Sequence, residues 1–406
     1  MLEEYIYKKW DDCIMENKTH GSDDIPMPHP YVVPCPTNGF REMYYWDTYF
    51  TCVGLILSDR GKLAKNSVDD ILYVVDKFGF MPNATLYSCL NRSQPPYLSM
   101  MVKDIYDVYK DKDWLKSACD ILKKEYCFWQ NKRMSPNGLN HYDVCPEYFP
   151  TDFDYKKSYV STLERIGKTP ENNIDYRDAV YDIYATGESG WDFSPRSKLH
   201  QRDYNYVDLN CNLYIYEKNF AEFSKILGID ESEKWEKAAK NRMELINKIL
   251  FDGNTYYDYD YKEGELSNVF SAAAFWPLWA KCADDDQAKK TVGMLGKIEC
   301  EHGIAACENV NTDANYQWAY PYGWAPVQHI VIEGLLNYGY TEDAKRIAKK
   351  YTAMLENEFE RTEKLWEKYD VVTGAVAHGA EYSAPEMLGW TAGTYLYAKN
   401  ALKNLM

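Results

Sequence analysis

Tyr204-Asn-Tyr-Val-Asp-Leu-Asn-Cys-Asn-Leu-Tyr-Ile-Tyr-Glu-Lys-Asn-Phe-Ala-Glu-Phe-Ser-Lys-Ile-Leu-Gly228 keeps one apolar spacing from end to end. Leu209, Leu213, Tyr216, Phe220, Phe223 and Leu227 recur every three or four residues, which lines one face of an α-helix. Gly228 then stops the run, as a residue free to turn left-handed does. Residues 231–250 resume the period with Trp235, Ala238, Ala239, Met243, Ile246 and Ile249. Two amphipathic helices joined by a short turn make an antiparallel pair, and each needs neighbours to cover its apolar face.

The period extends in both directions. Leu98, Met101, Ile105 and Val108 share a face in 97–110, after a Pro95-Pro96 opening. Trp114, Ala118, Ile121, Leu122 and Cys127 do so in 113–130. Helices are also predicted at 2–17, 43–59, 62–79, 270–283, 285–298, 324–339, 341–360 and 384–403. Short turns alternate with long aromatic loops at 18–42, 80–95, 133–175, 186–203, 300–322 and 362–383. Long irregular loops in a compact domain tend to be functional. No fixed sequence period exists, which argues against a repeat solenoid. The pattern predicts an all-α fold, an (α/α)6 barrel with the long loops building one functional face. Minor β structure is expected near Asn254–Asp260. No linker or composition break divides the chain, so residues 1–406 are read as a single domain.

The net charge of -16 disfavours nucleic acid and anionic membrane surfaces as partners, since both reward basic patches. No run of apolar residues is long enough to span a bilayer. Eleven cysteines are scattered without any CxxC spacing, and the start Met-Leu-Glu-Glu-Tyr has no apolar leader. Free thiols in a reducing cytoplasm are therefore expected, and the sequons at Asn17, Asn83 and Asn91 are read as chance matches. The seven histidines show no metal spacing; His141 and His378 lie in the functional loops. No metal or cofactor is expected. Aromatic residues make up 16% of the chain and cluster beside polar ones in the loops, as in Tyr44-Tyr45-Trp46 and Tyr316-Gln317-Trp318. Rings with polar neighbours suit stacking on sugar faces.

Chemistry concentrates in Glu188-Ser-Gly-Trp-Asp-Phe-Ser-Pro-Arg196. Asp192 stands between two aromatic residues, a setting that raises a carboxyl pKa and lets it hold a proton near neutrality. Glu367 lies between Trp366 and Lys368, and a cationic neighbour favours its ionised form. A protonated Asp192 and an ionised Glu367 would make the carboxylate pair of glycoside hydrolysis.

The ordered motifs Pro30-Tyr-Val-Val-Pro34, Phe40…Trp46-Asp47, Pro82-Asn83, Asn91-Arg-Ser-Gln-Pro-Pro96, Ser189-Gly-Trp-Asp-Phe-Ser194, Val207-Asp-Leu-Asn210, Gln317-Trp318…Gly323-Trp-Ala-Pro326, Glu367-Lys-Tyr-Asp370 and Glu381-Tyr382 resemble those of the α,α-trehalases, glycoside hydrolase family 37, over nearly the whole length. The resemblance implies an (α/α)6 barrel and a cofactor-free, inverting hydrolysis of trehalose to two glucose molecules. It implies Asp192 as general acid and Glu367 as general base. It implies Phe40, Tyr44, Trp46, Asp47, Asn83, Arg92, Gln94, Glu147, Trp318 and Glu381 as substrate-binding residues. An inverting pair stands about 6.5–9.5 Å apart, leaving room for a water.

Three positions depart from the family pattern. Pro34-Cys-Pro-Thr-Asn-Gly39-Phe40 replaces Pro-Gly-Gly-Arg-Phe, with Arg41 on the other side of Phe40. Cys145-Pro-Glu147 replaces Arg-Pro-Glu, and Gln317-Trp-Ala319 replaces Gln-Trp-Asp. Only Arg92 remains of three expected sugar-binding arginines. The alternatives are hydrolysis of a different α-glucoside or α-mannoside, and a catalytically silent sugar-binding protein. The expected partner is a small saccharide, and the expected assembly a monomer or small homo-oligomer.

Overall fold

A computed structural model describes every residue except 17–20, 38, 313, 380 and 406. Among the described residues the helices are α1 (Leu2–Lys9), α2 (Tyr45–Leu57), α3 (Gly61–Phe78), α4 (Leu98–Tyr109), α5 (Lys112–Lys132), α6 (Tyr155–Arg165), α7 (Tyr176–Ser189), α8 (Val207–Leu227), α9 (Ser232–Ile249), α10 (Trp276–Trp279), α11 (Asp285–Gly293), α12 (Ala325–Asn337), α13 (Thr341–Thr362) and α14 (Gly389–Asn404). The Tyr204–Gly228 stretch supplies α8, which packs on α9 as its spacing requires.

Helices α2, α4, α8, α10, α12 and α14 each touch the next, and α14 returns to α2. That closed inner ring is the barrel. Within it, α2, α8, α12 and α14 bury most of their residues, polar ones included, on more than one face. The outer helices α3, α5, α9 and α13 carry one apolar stripe and a charged outer face. The contact of α2 with α14 is a backbone crossing: a Cβ on Gly393 would lie 2.0 Å from the Phe50 carbonyl oxygen. Stacked Tyr49 and Tyr97 rings, 4.8 Å apart, fill the bore. Trp276 Nε1 donates to Tyr97 Oη at 3.2 Å, which satisfies a buried polar atom there.

Strands are short and antiparallel: β1 (Ile14–Met15) with β2 (Tyr31–Val32); β3 (Tyr204–Asn205) with β4 (Tyr259–Asp260) and β5 (Glu265–Leu266); β6 (Tyr322–Trp324) with β7 (Lys368–Asp370). The expected strand near Asn254–Asp260 is present as β4. The predicted 2–17 helix ends at Lys9, and its continuation becomes a 3-10 turn and β1. Asn17 and His20 lie outside the described residues.

One helix falls in a stretch read as loop, and another in the span 176–185 that the periodicity leaves unassigned. The segment 133–175 contains α6, and α7 follows it. Helix α6 buries only Tyr159, Thr162 and Leu163, too narrow a stripe to register as periodicity. It packs on α7 in a cluster separate from the barrel core. This pair is an excursion between α5 and α8, and it reaches the functional face.

Candidate active site

The inner helices present their N-termini to one cavity. Trp46 and Asp47 open α2, Trp324 precedes α12, and Trp390 opens α14. The cavity holds about 100 Å³ and is also lined by Phe40, Tyr44, Asn83, Arg92, Gln94, Asp192, Gln317, Trp318 and Glu367. Indoles form its wall: Trp318 stacks on Trp324 at 4.0 Å, Trp46 lies 5.5 Å from Trp318, and Trp390 meets Trp324 edge-on at 5.8 Å.

Asp192 reaches this wall because its loop is pinned at both ends. Upstream, Glu188 is fully buried and binds Arg133 through two 2.8 Å contacts. Its oxygens also accept the Ser93 and Asp143 amides, each at 2.8 Å. Downstream, Arg196 pairs with Asp208 and Asp258, each at 2.7 Å. Between these anchors Gly190 ends α7 with φ +72, and a Cβ there would lie 2.8 Å from the Trp46 indole. Only glycine meets both conditions.

The rings flanking Asp192 in sequence pack into two different clusters. Trp191 faces the barrel core, 5.0 Å from Trp318, and Arg196 stacks on it at 4.3 Å. Phe193 belongs to the α6–α7 cluster. The groups that share the aromatic cavity with Asp192 come from α2, β6 and the loops 80–95, 300–322 and 362–383. The outcome matches the expectation: burial pushes the Asp192 carboxyl up to about 6, although the Asp192 amide, Arg92, Arg165 and Lys368 oppose it.

Glu367 is buried at the start of β7, with its amide bonded to the Pro385 carbonyl. Tyr382 Oη donates to its Oε1 at 2.9 Å. Oε2 has no hydrogen-bond partner among the described residues, and Lys368 Nζ stands 3.6 Å from it. Lys368 favours the ionised form of this carboxylate, the direction expected of a cationic neighbour. Burial outweighs Lys368 and Tyr382, and the carboxyl rises to about 7. Burial likewise depresses Lys368. Lys368 Nζ donates to Gln317 Oε1, and Gln317 Nε2 donates to the Asp192 carbonyl at 2.6 Å. One polar chain thus connects the two carboxylate-bearing segments. Asp47 is pushed well up by burial, Glu367 and Asp192. Glu381 rises to about 7 by burial and the Asp192 charge. The carboxyls repel one another in a dry site, so their protons belong to the set.

Gln94 and Asn83 hold the frame: Gln94 Oε1 accepts the Trp46 amide at 3.2 Å, and Asn83 Nδ2 donates to the Gly187 carbonyl at 2.9 Å. Glu381 stands behind the cavity and pairs with Arg165 at 2.7 Å. Glu147 is not brought to the cavity. Its side chain is 54% exposed and lies 3.8 Å from Lys132, because the short turn after Cys145 points it outward. Cys145 is buried and accepts from Arg133 at 3.4 Å. Gly39 has φ +108, a conformation an arginine would adopt only with strain. Arg41 turns away, donating to the Cys35 carbonyl at 2.6 Å and to Met15 Sδ at 3.0 Å. Ala319 sits in the apolar α6–α7 cluster. Neither His141 nor His378 lines the cavity. Sequence reasoning left Gln317, Lys368, Tyr382, Trp390 and Arg165 unassigned. The first three lie inside the quoted motifs, which were the signal available; nothing local marks Arg165.

The sequence profile of the Trehalase family matches residues 3–402. The periplasmic trehalase of Citrobacter koseri is 32% identical over 97% of this chain and 72% of its own length. That of Xanthomonas axonopodis pv. citri is 32% identical over 98% and 73%. The neutral trehalase of Saccharomyces cerevisiae superposes with a TM-score of 0.77 at 26% identity, covering all of this chain and 82% of that one. These relatives overturn the cytoplasmic expectation, because the curated trehalases similar to this chain at 31–32% identity are periplasmic. The thiols on which that expectation leaned do not decide a compartment. Most are buried, and burial lifts thiols such as Cys35 and Cys119 to about 12, where they stay protonated and unreactive in either redox setting.

Proposed function

The chain belongs to the trehalase family, and on that footing we propose that Asp192 and Glu367 carry out its inverting hydrolysis of trehalose as general acid and general base. One glucosyl ring occupies the aromatic cavity, stacked against indoles, with its hydroxyls within reach of Asp47, Arg92 and Gln94. Asp192 protonates the glycosidic oxygen. Glu367 Oε2 accepts a proton from a water that attacks the anomeric carbon from the opposite face.

The observation that carries this reading is the division of labour within Glu367. Tyr382 fixes one carboxylate oxygen, and the other has no hydrogen-bond partner among the described residues, with Lys368 Nζ 3.6 Å from it. A base that must take a proton from water needs an oxygen not already bonded to a donor. Near neutrality the carboxyl set holds fewer negative charges than it has groups. Without substrate the order is the reverse of these roles, Asp192 at about 6 and Glu367 at about 7. A glycosidic oxygen accepts only from the protonated acid and so favours the proton on Asp192, while Lys368 and the Tyr382 hydroxyl favour the anion on Glu367.

The test is a pair of isosteric variants. Asp192→Asn and Glu367→Gln are expected to lower kcat on trehalose by at least about 100-fold while leaving sugar binding near wild type. A wild-type protein that binds trehalose without turning it over is a sugar-binding module, and that result would end the hydrolase reading.

A further inference from the structure

We infer that Arg165 is a specificity-determining residue of this hydrolysis, holding the departing sugar in a second cavity outside Asp192. The inference rests on the reading of Asp192 as the acid. A cavity of about 440 Å³ adjoins the aromatic one and shares Arg92, Gly187 and Asp192 with it. The bond being cleaved must lie over Asp192, so one half of the disaccharide fills the aromatic cavity and the other half enters this outer one.

The outer cavity is lined differently. Its polar groups include the hydroxyls of Ser88, Ser158 and Thr162 and two guanidiniums, Arg92 and Arg165. Arg92 lines both cavities, with Nη1 donating to Asn91 Oδ1 at 2.7 Å and the group over the Tyr184 ring at 5.1 Å. Arg165 lines the outer cavity alone and lies over the Phe193 ring at 6.0 Å. It ends α6, its side chain is 52% exposed, and Glu381 is its one ion-pair partner among the described residues. Nε bonds Glu381 Oε1 at 2.7 Å, while the Glu381 side chain is only 3% exposed.

A half-exposed arginine is thus tethered to a covered carboxylate through one edge of its planar fork. The tether sets the plane of the guanidinium. The Nη edge is the part that a sugar hydroxyl can bond, and an arginine presents several donors there in fixed geometry. Gly39 and Cys145 offer no donor of this kind. The α6–α7 excursion therefore contributes a sugar-binding group that the barrel ring lacks.

The experiment compares two substrates that share the glucosyl half. Trehalose leaves a glucose in the outer cavity; α-glucosyl fluoride leaves only fluoride. Arg165→Gln is expected to lower kcat/KM on trehalose on the order of 10- to 100-fold, the loss of one charged hydrogen bond, and to lower the fluoride reaction much less. An equal loss on both substrates assigns Arg165 a structural role through Glu381 and overturns the inference, as does an unchanged trehalose rate. Wild-type protein inactive on both substrates sinks the hydrolase reading itself, and the inference with it. A melting curve checks the fold; if the glutamine variant loses its cooperative melt, Arg165→Lys is read on the same substrate ratio.

Discussion

At the scale of residues, Glu367 shows burial winning over a nearby cation. Lys368 lies beside it, yet the carboxyl rises to about 7 from an ordinary 4.5. A carboxyl raised on folding stabilises the folded state only where it stays protonated. Stability is then fully present below the ordinary value and is lost as pH rises towards about 7. Glu367→Gln is therefore expected to melt higher than wild type at pH 8, with the gap closing towards pH 5 as wild-type Glu367 protonates. A gap independent of pH would show that the carboxyl is not raised. Tyr382 acts on the same group in the other direction, since its hydroxyl bonds the ionised form. Tyr382→Phe should move the acid limb of kcat against pH to higher pH, because the base then needs a lower proton activity to ionise. A shift to lower pH, or none, would remove Tyr382 from the control of this base.

At the scale of elements, the loop from α7 to β3 is held by Arg133–Glu188, Gly190 and Arg196, and none of these touches the reaction. Gly190→Ala forces both a left-handed alanine and a contact at 2.8 Å with Trp46. It should cost on the order of 1–3 kcal/mol of stability and lower kcat by displacing Asp192 from the cavity wall. Thermal melts and kinetics check the two effects separately; a variant as stable and active as wild type would contradict the packing described here. The elements also show where sequence reading stops. Helix α8 was legible because its apolar residues span six turns on one face. Helix α6 was not, because three buried residues against a satellite cluster leave no period to find. Arg165, at its C-terminus, was invisible for the same reason: its partner Glu381 is distant in sequence and joined to it only by the fold.

At the scale of the whole molecule, the closed inner ring follows from features the chain displays openly: paired helices with apolar faces, and long loops between the pairs. The motif residues found together in the sequence are also mostly together in space, because many of them lie at or just before the N-termini of that ring. Glu381 and Glu147 line neither cavity. The place of Glu147 in a motif gave no sign that a turn would point it into solvent. The rings beside Asp192 diverge in space, Trp191 into the barrel core and Phe193 into the α6–α7 cluster.

The central claim is that water attacks from the face opposite the leaving sugar. A proton NMR time course of wild-type protein with trehalose tests it directly, before mutarotation mixes the anomers. Inversion at one centre releases that glucose as the β-anomer and the leaving glucose as the α-anomer, so equal amounts of each are expected from the first spectra. Early product that is α-glucose alone would mean retention, and would contradict the roles given to Asp192 and Glu367.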